Sequence, residues 1–178
     1  MTILKSQSCD GIYLLENWIK TSESKKIIQL AEQIPHSMNS EELIKTNNSE
    51  LQKILHTNAI GIGFWIQETF NKKIAWQSSV PGINILNSKN HTPEPHADNE
   101  TLDGKPKQNC ENFDIAAIMY LNSDFDGGEL EFISKQILIK PKFGDVITFP
   151  GDIRYLHQVK KITNGTRRSS SMWFSIIE

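Results

Sequence analysis

The chain has 178 residues, with 19 lysines and arginines against 21 aspartates and glutamates and a net charge of −2. Hydrophobic residues make up 38% and charged residues 22%, a balance that excludes a mostly disordered chain and gives no basic excess suited to a nucleic-acid partner. A chain of this size withdraws roughly 70% of its unfolded surface from water, enough for a sizeable core without disulfide staples.

The first 75 residues carry helix-period patterns. Gly11 to Trp18 reads as an opening strand. Thr21 or Ser22 can cap a helix whose apolar positions Ile27, Ile28, Ala31 and Ile34 recur at helical spacing, with Pro35 ending it. A second helix over about Ser49 to Phe70 puts Leu51, Leu55, Ile62, Ile66 and Phe70 on one face, with Gly61 and Gly63 as weak points in its middle. Both helices are expected to buttress a sheet. From residue 76 onward the pattern changes to short strands, at about 76–80, 83–87, 94–98, 113–122, 128–133, 136–140, 145–149, 153–159 and 167–176. Regular short strands broken by turn residues indicate a sandwich or barrel. Gly127, Gly128 and Gly144 read as turn residues, and Trp173 and Phe174 as filling between sheets. The organisation expected is a single domain over 1–178, with a strand and supporting helices over 1–75 and a β-rich core over 76–178. Residues 99–112 form a long polar connection of the kind that can wall a binding site.

The two cysteines, Cys9 and Cys110, are too few for a disulfide scaffold and read as free thiols. The N-terminus lacks the apolar stretch of a signal peptide, and no run approaches a membrane span. The expectation is a cytoplasmic protein with no membrane partner; the sequence says nothing of oligomeric state.

His96-Ala97-Asp98 places an imidazole and a carboxylate two residues apart, on one face if the segment is a strand. Alone the pair means little in a chain with five histidines. His157 adds weight, because Arg167, Ser169 and Ser171 follow it on one predicted face. Two histidines and one carboxylate can take one face of an octahedral metal and leave three positions open, the facial triad of non-heme Fe(II) oxygenases. A chelating 2-oxo acid and O2 can fill those positions. The far carboxylate of 2-oxoglutarate then needs a fixed cation, and a guanidinium pairs with it bidentately. His36 and His56 lie in the helical half and read as solvated or core-edge residues, while His91 has no partner at ligand spacing.

With these residues in place, the chain resembles the 2-oxoglutarate- and Fe(II)-dependent dioxygenases of the prolyl 4-hydroxylase-like branch. The resemblance covers about residues 76–177. It rests on Pro95-His96-Ala97-Asp98-Asn99, Met119-Tyr120-Leu121-Asn122, Asp126-Gly127-Gly128-Glu129-Leu130 and Lys140-Pro141-Lys142-Phe143-Gly144-Asp145. Later come His157-Gln158-Val159 and Gly165-Thr166-Arg167-Arg168-Ser169, running into Met172-Trp173-Phe174. It implies a mainly β fold with N-terminal helices, a double-stranded β-helix or jelly roll. It implies iron on His96, Asp98 and His157, 2-oxoglutarate on Arg167 with help from Tyr120 and Ser169, and a matching hydroxyl at Ser171. By strand alternation Arg168 faces the other way and takes no cofactor role. Many relatives carry a tyrosine about ten residues before the first ligand, where this chain reads Asn84-Ile85-Leu86-Asn87. The stretch from Asn87 to Pro95 is also richer in polar residues than the pattern suggests.

The activity implied is hydroxylation of a prolyl residue in a peptide or protein, with 2-oxoglutarate and O2 giving succinate and CO2 and ascorbate as a possible reductant. Substrate would enter between residues 99–112 and 37–48. Two other hydroxylase substrates stay open, another side chain and a free amino acid. A cupin-like metalloprotein without 2-oxoglutarate and a non-catalytic binding module are competing classes. Arg167 and Tyr120 at the family's spacing speak against the first, and the intact ligand set against the second.

Overall fold

The computed structural model describes residues 6–45, 48–75, 81–90 and 92–177. It begins with a hairpin, β1 (Ser6–Cys9) and β2 (Ile12–Leu15), closed by Asp10-Gly11. Both turn residues have positive φ, 49° and 84°, the two-residue turn whose twist matches its flanking strands. The expected single strand from Gly11 to Trp18 is therefore corrected: an Asp-Gly turn starts it as half of a hairpin, and it ends at Leu15.

Helix α1 (Thr21–Glu32) has Lys20 in the capping position with no side-chain cap hydrogen bond, one residue before the expected Thr21 or Ser22. Burial of Ile27 and Ala31 holds it instead. A short α2 (Ser40–Lys45) precedes α3 (Ser49–Phe70), which Asn48 caps by accepting from the Leu51 amide at 3.4 Å. Helix α3 runs unbroken through its glycines. A Cβ on Gly61 would sit 3.1 Å from the Trp18 ring, so the missing side chain serves close packing. No helix among the described residues is long and apolar enough to cross a membrane.

The strands that follow are β3 (Ile74–Ala75), β4 (Asn84–Asn87), β5 (Ile115–Tyr120), β6 (Phe125–Gly127), β7 (Leu130–Phe132), β8 (Ile137–Ile139), β9 (Val146–Pro150), β10 (His157–Val159) and β11 (Ile162–Ile176). The strand expected over 76–80 lies outside the described residues, as does His91. The one expected over 94–98 is not a strand. Pro93 and Pro95 cannot donate to a ladder, and only His96 pairs, in an isolated bridge to His157. The expected strand 153–159 opens as a 3-10 turn, Ile153–Tyr155, because the Asp152 side chain accepts from the Arg154 amide. Gly127, Gly128 and Gly144 all have positive φ, as turn residues do.

The strands make two antiparallel sheets. The larger runs β1-β2-β9-β5-β11-β3, with β4 and β6 also pairing to β11, and the smaller runs β10-β7-β8. Alternation along β5 divides the core. Ile115, Ala117 and Met119 pack with Leu51, Leu55, Ile62 and Ile66 of α3, whereas Ala116, Ile118 and Tyr120 pack with Leu130 and Phe132 of the smaller sheet. The helices thus cover one face of the large sheet and the small sheet covers part of the other, leaving a cavity between the sheets.

Candidate active site

The cavity holds about 370 Å³ and is lined from both sheets and from the segment between β4 and β5. His96, Asp98 and His157 offer ligand atoms that lie within 4.8 Å of one another. Reciprocal backbone bonds fix the two histidines side by side: the His96 amide donates to the His157 carbonyl at 2.9 Å and the His157 amide to the His96 carbonyl at 3.0 Å. The Nδ1 of His96 meets the Glu94 carbonyl at 2.8 Å, and that of His157 meets the Tyr155 carbonyl at 3.0 Å. A carbonyl only accepts, so each Nδ1 carries the proton and each Nε2 keeps its lone pair for a metal. Burial pushes the His157 imidazole below the usual histidine range, the Asp98 carboxylate pulling the other way.

Asp98 is 8% exposed. Its amide and that of Asn99 donate to the Gly151 carbonyl, at 2.8 and 3.0 Å. A Cβ on Gly151 would lie 2.0 Å from the Phe113 carbonyl oxygen, so only glycine lets these backbones meet. Oδ1 of Asp98 accepts from the Trp173 indole N–H at 3.0 Å, and Oδ2 is buried with no partner.

Deeper in the cavity lies Arg167, 2% exposed. Its guanidinium donates to the Ser169 hydroxyl at 2.9 Å and the Tyr120 hydroxyl at 3.1 Å and stands 4.8 Å from the Tyr120 ring centroid, while Nε has no partner. Strand pairing explains the grouping, since Ser169 sits between Tyr120 of β5 and Asn84 of β4. Burial pushes the Tyr120 phenol above its usual range, against the pull of Arg167. Tyr120 therefore keeps its proton and can donate it to an anion. Arg168, one residue on, does not line the cavity.

A buried lone pair and a buried guanidinium with no carboxylate are each costly unless something pairs with them. A divalent metal beside Oδ2 and an anion beside Arg167 would satisfy both, so the residues fit Fe(II) and a 2-oxo diacid.

The structure thus brings His96, Asp98, His157, Arg167 and Ser169 to one cavity, with the buried Tyr120 joined to it through its hydrogen bond from Arg167. It adds residues the sequence did not mark. Trp173, expected as sheet filling, turns its N–H to Asp98; Phe174 packs in the helix-side core. Asn84 lines the cavity where the family's tyrosine is missing, donating to the Ser171 hydroxyl at 2.8 Å, with Leu86 beside it. Ser37 and Pro93 also line the cavity, whereas residues 99–112 do not. That loop is strapped down instead, with Glu100 accepting from the Ile153 amide at 2.7 Å.

The sequence profile of the 2OG-Fe(II) oxygenase superfamily matches residues 83–175, from β4 to the end of β11. Prolyl 3-hydroxylase 2 of Mus musculus is 36% identical over 92 residues, which is 46% of this chain and 13% of that protein. The chain therefore spans only a small part of the curated relatives it matches. Among solved structures, a prolyl hydroxylase from Trichoplax adhaerens, bound to a hypoxia inducible factor peptide fragment, gives a TM-score of 0.69 at 18% identity. That match covers 93% of this chain and 83% of the other. A truncated viral collagen prolyl hydroxylase from Paramecium Bursaria Chlorella virus-1 gives 0.66 at 14% identity, covering 100% and 99%. Likeness at these identities concerns the fold, a double-stranded β-helix in both. A profile match over more than half of the residues, on that fold, makes this chain a member of the 2-oxoglutarate- and Fe(II)-dependent oxygenase superfamily.

Proposed function

We propose that the chain hydroxylates a prolyl residue in a peptide or protein, in the cytoplasm, with Fe(II) held by His96, Asp98 and His157 and 2-oxoglutarate held by Arg167, Tyr120 and Ser169. Ascorbate is the proposed reductant that keeps the iron ferrous. The observation that carries this reading is the buried Arg167, whose partners among the described residues are neutral hydroxyls, in one cavity with a metal-ligand set. The bound group supplies the redox chemistry, in which O2 and 2-oxoglutarate give succinate, CO2 and a hydroxyl on a substrate C–H bond.

The protein's own part is orientation and exclusion of water. Arg167 takes one carboxylate of the oxo acid through its fork of N–H donors, Tyr120 adds its retained proton, and Ser169 holds the guanidinium in place. The two Nδ1 hydrogen bonds keep both imidazoles turned so that the Nε2 lone pairs converge. Phe132 and Phe149 pack around the His157 ring, with centroids at 5.9 and 4.7 Å, and keep bulk water from that side.

A peptide residue suits the cavity better than a free amino acid. The charged or titratable groups among its described lining residues are His96, Asp98, His157 and Arg167. Once these hold metal and cosubstrate, none remains to pair with a free carboxylate or ammonium, whereas a residue within a chain needs no such partner. The prolyl part is supported by the similar proteins described above, which are prolyl hydroxylases.

Incubation with Fe(II), 2-oxoglutarate, ascorbate and proline-containing peptides tests it, with product read by mass spectrometry and the carbon attacked read by NMR. The expected result is one added oxygen on proline with matching succinate. Oxidation only of another side chain or of a free amino acid would remove the prolyl assignment. Metal-dependent turnover without succinate would point to the cupin-like class.

A further inference from the structure

The Asp98 carboxylate has two oxygens of unequal standing. Oδ1 is taken by the Trp173 indole at 3.0 Å, while Oδ2 is buried without a partner, and the carboxylate stands within ligand distance of both histidines. The indole is itself fixed, stacked on Phe113 at 4.9 Å between centroids and 16° between planes. The Phe113 carbonyl packs against Gly151, whose own carbonyl accepts from the Asp98 amide. One packed unit therefore sets both the backbone and the side chain of this ligand. Trp173 is odd-numbered on β11, on the same face as Arg167, Ser169 and Ser171, so strand alternation directs it here.

We propose that Trp173 is a positioning residue for the metal site: its indole N–H occupies Oδ1 of Asp98, so the carboxylate offers a metal one oxygen rather than two. The consequence is chemical. A carboxylate free to rotate can chelate through both oxygens and take a coordination position that a bidentate oxo acid and O2 need. Holding Oδ1 by a charge-assisted hydrogen bond keeps three positions open, and it spares the ligand the entropy of being ordered by the metal. This rests on the metal-site reading above.

The test compares the unaltered protein with Trp173→Phe, which keeps an aromatic ring over Phe113 and loses the N–H. Metal-free protein is titrated anaerobically with Fe(II), then with 2-oxoglutarate, and the visible charge-transfer band is read alongside the thermal midpoint. Trp173→Phe should bind Fe(II) about 10-fold or more weakly and need more 2-oxoglutarate to develop a weaker band, with a metal-free midpoint close to that of the parent. Equal Fe(II) affinity and an equal band in the variant would overturn the proposal alone. A parent that takes up no Fe(II) would overturn the metal reading and the proposal together. A second measurement does not depend on Trp173→Phe folding: in the unaltered, metal-free protein labelled with 15N-tryptophan, the Trp18 and Trp173 indole N–H groups are both hydrogen-bonded, and one slowly exchanging indole N–H should lose its protection in Asp98→Ala while the other keeps it. Four indoles indifferent to Asp98→Ala would also overturn it.

Discussion

The two faces of strand β11 have different work to do although their residues alternate along one stretch of backbone. Arg167, Ser169, Ser171 and Trp173 line the cavity, while Ser170, Met172 and Phe174 turn away from it. Met172 and Phe174 sit in the helix-side core, and Ser170 donates to the Gly82 carbonyl at 2.8 Å. Two arginines and three serines in succession, Arg167 to Ser171, carry no composition signal that separates the faces. Register separates them, because a one-residue slip would bury Arg168 in the cavity and send Arg167 to the helices. That register is held by pairing to β5 on one side and β4 on the other. Chemistry on this strand is thus decided by which partner residues stand opposite.

The sharpest way to break the comparison is to truncate one large residue on each face. Phe174→Ala should lower unfolding stability by about 3–5 kcal/mol, measured by urea titration, while the folded fraction keeps its affinity for 2-oxoglutarate. Arg167→Ala should do the reverse, losing roughly 2–4 kcal/mol of 2-oxoglutarate binding, about 30- to 1,000-fold, with little loss of stability. Removal of an uncompensated buried cation is the reason stability should hold. Tyr120→Phe keeps the ring under the guanidinium and removes one hydroxyl, for which about a 10-fold weaker 2-oxoglutarate affinity by titration is expected. The finest comparison uses adjacent serines. Ser169→Ala should weaken 2-oxoglutarate binding a few-fold, whereas Ser170→Ala should lower stability by about 1 kcal/mol and leave binding unchanged. Equal behaviour of the two serine variants would contradict the division of the strand.

Much of this was legible in the sequence, from ligand chemistry at the metal site and from strand period along β11. Arg167 and Ser169 stand two apart on one face of β11, His96, Asp98 and His157 are a metal-ligand set by residue type, and the structure gathers all five at one cavity. Helix α3 was legible from its apolar spacing through two glycines. Other features were not. Trp173 reads as filling because an aromatic residue in a strand is usually core, and only a neighbour 75 positions away reveals its N–H partner. Asn84 is polar at the edge of a short strand, with no pattern pointing to Ser171. The His96 segment looks like a strand by composition, yet Pro93 and Pro95 restrict it to one bridge. The β1–β2 hairpin was written in Asp10-Gly11, whereas β3 and β6, at two and three residues, are too short for any period to show.

The account's central claim is that one cavity holds Fe(II) through His157 and a 2-oxo diacid through Arg167. The most direct measurement adds Fe(II) and then 2-oxoglutarate anaerobically to the metal-free protein and records the weak visible charge-transfer band of an oxo acid chelated to ferrous iron. The band should form in the parent, disappear in His157→Ala and require far more 2-oxoglutarate in Arg167→Ala. Iron bound with no band, or a band indifferent to Arg167→Ala, would contradict the claim.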